Sequence, residues 1–79
     1  PQVMINVPVN GDISNIEDSE RISQAVKSAE DQLGETGRVI LRPSGTEPLI
    51  RVTVEGMDEA RVNRLASGLA EIVRTDLAG

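Results

Sequence analysis

Arg38-Val39-Ile40-Leu41-Arg42-Pro43-Ser44-Gly45-Thr46-Glu47-Pro48-Leu49-Ile50-Arg51-Val52-Thr53-Val54-Glu55 contains two β-rich runs separated by a segment with one glycine and two prolines. Arg38 to Arg42 and Leu49 to Glu55 read as strands, and Pro43 to Pro48 as the six-residue loop of a hairpin. If the hairpin closes symmetrically, Arg42 lies opposite Leu49 and Ile40 opposite Arg51. The period-2 alternation of a strand then puts Val39, Leu41, Ile50, Val52 and Val54 on one face. Arg42 and Arg51 fall on the other face, as diagonal neighbours whose side chains reach a common point.

On either side of the hairpin the pattern changes period. From Gln2 to Val9 the residues alternate, with Val3, Ile5, Val7 and Val9 on one side and Met4 and Asn6 on the other, as in a half-buried strand. Pro8 ends that strand or confines it to an edge. Asn10-Gly11-Asp12 is a turn signal. Asp18-Ser19 offers an N-cap ahead of Glu20. Ile22, Ala25, Val26, Ala29 and Leu33 then recur at helical spacing up to the terminator Gly34. Asp58 caps a second helix with a stripe of Val62, Leu65, Ala66, Leu69, Ile72 and Val73, interrupted by Gly68. The expected fold is α+β, in the order β-α-β-β-α: a small antiparallel sheet with two helices packed on one face, forming a single domain over residues 1–79.

Composition narrows the function. The chain has no histidine and no cysteine, which removes the commonest general base, a thiolate nucleophile and a Cys-ligated metal site. It has no aromatic residue, so its core is aliphatic. Thirteen acids against 8 bases give a net charge of −5, and the bases are scattered, which argues against a nucleic-acid partner. No apolar run approaches the roughly 18 residues of a membrane span, and no signal peptide opens the chain. An unstapled domain of this kind fits the cytoplasm. The opening Pro1, in place of Met, fits a fragment or a processed chain.

The hairpin loop is where chemistry can reside. Ser44 and Thr46 supply hydroxyls, and Gly45 lets backbone amides turn inward as an anion nest. Pro43 and Pro48 stiffen the loop, and Arg42 and Arg51 add planar fork donors suited to phosphate. The physics also allows a plainer reading, a rigid hairpin whose arginines pair with Glu47 and Glu55. Gly34-Glu35-Thr36-Gly37 matches the GXXG pattern of KH RNA-binding loops, but it lies between a helix and a strand where that loop joins two helices. A third reading is an interaction module using the sheet face of Met4, Asn6, Ile40 and Leu49.

The run Arg42 to Glu55 resembles the phosphate-binding loop of the α-D-phosphohexomutases, whose members interconvert 1- and 6-phosphorylated hexoses. The opening Pro1 to Val7 is similar to the branch of that family that works on glucosamine phosphates. The resemblance covers the chain as the family's fourth, C-terminal domain, which has a TATA-box-binding-protein-like fold. It implies that Arg42, Ser44, Gly45, Thr46 and Arg51 hold the substrate phosphate, and that Glu47 supports the loop without contacting the ligand. Thr53 departs from the Met common in that branch. The family's phosphoserine loop, aspartate-rich magnesium loop and sugar-reading loop have no counterpart here. The resemblance thus implies no catalytic or metal-binding residue in this chain, Mg2+ only in the full-length enzyme, and an isolated chain that is inactive. The partners it implies are a phosphosugar and the enzyme's other domains, in cell-wall precursor supply, with no nucleic acid or membrane. A phosphoglucomutase or phosphomannomutase is the alternative within the family.

Overall fold

The computed structural model describes residues 1–9, 19–45 and 47–77. Strand β1 (Gln2–Pro8) is followed by helix α1 (Glu20–Leu33), a 3-10 turn (Gly34–Thr36), strands β2 (Arg38–Pro43) and β3 (Leu49–Glu55), and helix α2 (Glu59–Leu77). The expected turn at Asn10-Gly11-Asp12, the alternative cap Asp18 and the loop residue Thr46 lie outside the described residues. The order is the β-α-β-β-α read from the pattern.

The hairpin brings β2 and β3 together, and β1 adds to the far side of β3, so the sheet order is β1-β3-β2 with β3 central. Both flanking strands run antiparallel to β3. Val3, Ile5 and Val7 stand opposite Val54, Val52 and Ile50, and Val39 and Leu41 stand opposite Val54 and Val52. Those rows form one apolar face, and both helices cover it. Helix α2 packs on β1 and β3, while α1 packs on β2 and against α2. The core is Val7, Val9, Ile22, Ala29, Leu33, Ile50, Val52, Val54, Val62, Ala66, Leu69 and Val73.

Helix boundaries follow local chemistry. The Ser19 hydroxyl accepts a hydrogen bond from the Ile22 amide (3.2 Å), and Ser19 Oγ also contacts Asp76 near the end of α2. At the other end of α1, Gly34 takes φ 66°, a left-handed conformation that side chains disfavour, and its amide donates to the Glu30 carbonyl. Asp58 Oδ1 accepts from the Arg61 amide (3.2 Å) at the start of α2. Arg61 Nη1 in turn donates to the Gln32 carbonyl (3.3 Å), tying α2 to the last turn of α1. Gly37 sits where a Cβ would lie 2.4 Å from the Glu55 carbonyl oxygen, so only glycine lets β2 begin this close to the end of β3.

The register corrects one expectation. Arg42 stands opposite Arg51, not Leu49, and Ile40 opposite Thr53, not Arg51. The cause lies in the loop. The Leu49 amide donates to the Glu47 carbonyl (2.8 Å) across Pro48, a three-residue turn suited to the fixed φ of proline. The Ser44 amide donates to the Leu49 carbonyl (2.9 Å), so pairing continues to Pro43 opposite Ile50. The slip is two residues, an even number, and therefore leaves every side chain on its expected face.

Candidate functional site

The sheet face away from the helices is built in rows. Gln2, Glu55 and Arg38 form one, with Arg38 Nε 3.5 Å from Glu55 Oε2. Met4, Thr53 and Ile40 form the next. Thr53 is only 6% exposed there although no helix covers it, whereas its neighbour Met4 is 53% exposed. The third row, nearest the hairpin loop, is Asn6, Arg51 and Arg42.

That third row holds two positive charges side by side. In an antiparallel ladder, directly opposed Cα atoms lie about 4.5–5.5 Å apart, and like charges so placed are unfavourable. Arg42 and Arg51 are both exposed and directly opposed. The ion pairs among the described residues are Arg38–Glu55 and Arg74–Glu71, so neither site arginine has an acidic partner there. Glu55 is engaged at the far end of the sheet, and the pairing of these arginines with Glu47 and Glu55 is not what forms. Arg51 Nε instead donates to Asn6 Oδ1 (3.3 Å), a neutral acceptor that leaves the charge uncompensated.

The loop above the row holds itself in shape. Ser44 Oγ accepts from the Glu47 amide (3.4 Å), and the Glu47 carbonyl accepts from Leu49. Glu47 thus takes part in the loop through its backbone. The loop is also tied to the first strand's end, because the Val9 amide donates to the Pro48 carbonyl (2.9 Å). Gly45 is exposed, and a Cβ built on it would meet nothing within 4 Å, so the chain's own packing does not demand glycine there. The structure thus gathers Arg42, Ser44, Gly45 and Arg51 at one end of the open face. The sequence reading missed Asn6 as a neighbour of Arg51. Setting Val3, Ile5 and Val7 against Val54, Val52 and Ile50 puts Asn6 against Arg51, but alternation alone does not say that β1 lies beside β3.

Among the described residues no group of three or more His, Cys, Asp or Glu side chains comes together, so those residues do not form a magnesium site. The segment Gly34 to Gly37 joins α1 to β2, unlike the helix-to-helix loop of a KH domain. A groove of about 530 Å³ lies on the opposite, helix-bearing side, between α1 and β2, lined by Ile22, Val26, Leu41 and Pro43 among others. It does not open onto the arginine row.

A hairpin with two opposed arginines on a three-stranded sheet backed by two helices defines a class, and comparison with known proteins places the chain in it. Residues 4–72 match the family described as phosphoglucomutase/phosphomannomutase, C-terminal domain, and the chain belongs to that family. Similar curated proteins include phosphoglucosamine mutases. One from Halorhodospira halophila is 54% identical over 81 residues, covering 100% of this chain and 17% of its own length. Another from Aromatoleum aromaticum is 57% identical over 74 residues, covering 94% of this chain and 16% of its own length. The chain therefore spans about a sixth of the relatives it matches. Among solved structures, an Aspergillus fumigatus N-acetylphosphoglucosamine mutase in complex with glucose 1,6-bisphosphate has a TM-score of 0.80 at 23% identity, covering 100% of this chain and 16% of its own. The same enzyme with GlcNAc-6P and magnesium has a TM-score of 0.77 at 24% identity, with the same coverage. At that identity the likeness shows the fold.

Proposed function

We propose that this chain is the substrate-phosphate-binding domain of a phosphoglucosamine mutase, which interconverts glucosamine 6-phosphate and glucosamine 1-phosphate. The observation that carries the reading is the opposed pair Arg42 and Arg51, two guanidiniums without an acidic partner among the described residues, beneath a stiffened loop. A dianion between them would turn a repulsion into two charge-assisted hydrogen-bonded contacts. Ser44, Thr46 and the amides around Gly45 complete the shell, and Glu47 supports the loop through its backbone. The branch is chosen because relatives at 52–57% identity include phosphoglucosamine mutases.

In the whole enzyme, working in the cytoplasm, a phosphoserine elsewhere would transfer its phosphoryl group to the sugar. The bisphosphorylated intermediate would reorient and return its other phosphate. Both orientations must present a non-reacting phosphate to this domain. A site that reads phosphate alone serves both, and the binding energy it supplies positions the reacting end. Magnesium belongs to the parts of the enzyme that carry the transfer. The residues here bind and orient, and no proton or phosphoryl transfer is assigned to them.

The test is an amide-resolved NMR titration of the chain with glucosamine 1-phosphate, using inorganic phosphate and glucosamine as controls. The expected result is shifts at Ser44, Gly45, Thr46 and Arg51 with both phosphate-bearing ligands and none with glucosamine. Equal shifts with glucosamine, or no response to millimolar phosphate ligands, would reject the reading.

A further inference from the structure

Arg51 and Arg42 sit in the same row but differ in their surroundings. Arg51 is on the central strand and has Asn6 directly opposite it on β1, with its Nε–H directed to Asn6 Oδ1 at 3.3 Å. Arg42 is on the flanking strand β2, and no hydrogen bond or ion pair joins its side chain to a described residue. A guanidinium offers a phosphate either its Nε–Nη edge or its terminal Nη1–Nη2 edge. With Nε committed to Asn6, the terminal edge of Arg51 is the one left for a bidentate contact. The acceptor is neutral, so it fixes the guanidinium without reducing its charge, and it limits the side-chain freedom lost when an anion arrives.

From this arrangement, and resting on the phosphate reading above, we infer that Asn6 is a positioning residue. It holds Arg51 in an end-on orientation toward the phosphate and does not itself contact the ligand.

The experiment follows inorganic phosphate binding by NMR, including the arginine Nε–Hε signals, in the wild-type chain and in Asn6→Val, Asn6→Asp, Arg51→Ala and the Asn6→Val/Arg51→Ala double variant. Valine suits an exposed edge strand, so Asn6→Val keeps the fold while removing the acceptor. The wild-type Arg51 Nε signal is expected to be dispersed. Asn6→Val should collapse it toward the unstructured position and weaken phosphate binding about two- to tenfold, the range for one lost hydrogen bond. Asn6→Asp should keep the signal dispersed, because an acceptor remains. On the Arg51→Ala background Asn6→Val should cost nothing more, since Asn6 acts through Arg51. A wild-type chain that binds phosphate while Asn6→Val binds equally well overturns the role of Asn6 and leaves the phosphate site standing. So does an equal further loss on the Arg51→Ala background. A wild-type chain with no phosphate response overturns the site and, with it, the role of Asn6.

Discussion

Two guanidiniums facing each other across a ladder are a local cost to the folded chain, and that cost separates stability from binding at single residues. Replacing Arg42 with Gln keeps the length of an exposed side chain and removes the opposed charge. Thermal melts without ligand should show Arg42→Gln at least as stable as the wild type, by up to about 1 kcal/mol, while phosphate titration shows binding largely lost. A variant that loses stability and retains affinity would mark Arg42 as structural. Gly45→Ala divides in the same way. No atom lies near the added methyl, so unfolding should be nearly unchanged, whereas phosphate affinity should fall if backbone amides close on the anion.

At the scale of elements, the glycines of this fold have opposite expected effects. Gly68 lies inside α2 with open space where an added methyl would sit, so Gly68→Ala should raise stability by about 0.5–1 kcal/mol through helix propensity alone, read by chemical denaturation. Gly37→Ala would drive a methyl into the Glu55 carbonyl and should destabilise by about 1–3 kcal/mol or more. The sequence made the elements and their faces legible because aliphatic residues alternate in the strands and recur at helical spacing in α1 and α2. It also offered Asp18 or Ser19 as the cap, of which Ser19 caps α1, and Gly34 as the stop, since both ends act through local backbone chemistry. The register was not legible. A loop with two prolines has no single closure, and the three-residue turn at Pro48 is a choice among several. Strand order was hidden for a related reason: period-2 alternation says which face a residue takes but not which strand lies beside it. The row of Asn6, Arg51 and Arg42 needed both pieces of information. The tight approach at Gly37 is likewise a tertiary property, invisible until the end of β3 is placed against the start of β2.

For the molecule as a whole, binding is expected to follow the ionisation of the ligand. The chain contains no histidine, and a phosphomonoester passes from monoanion to dianion at about pH 6. Two guanidiniums favour the dianion, so the dissociation constant for glucosamine 1-phosphate should fall as pH rises from about 5 to about 7.5, measured by titration calorimetry. Ligand at about tenfold its dissociation constant should stabilise the fold by about 1.4 kcal/mol, visible as an upward shift of the melting curve.

The bond from the Val9 amide to the Pro48 carbonyl gives this site a place in time as well as in space. The β2–β3 hairpin closes over a short stretch of chain and can form locally. The contact between Val9 and Pro48, like that between Asn6 and Arg51, spans about half the sequence and forms only when β1 docks. The arginine row and its loop are thus expected to reach their final arrangement late in folding. A phosphate ligand should slow the escape from the native state without hastening its formation, so the anion acts as a latch that engages after the strands have met.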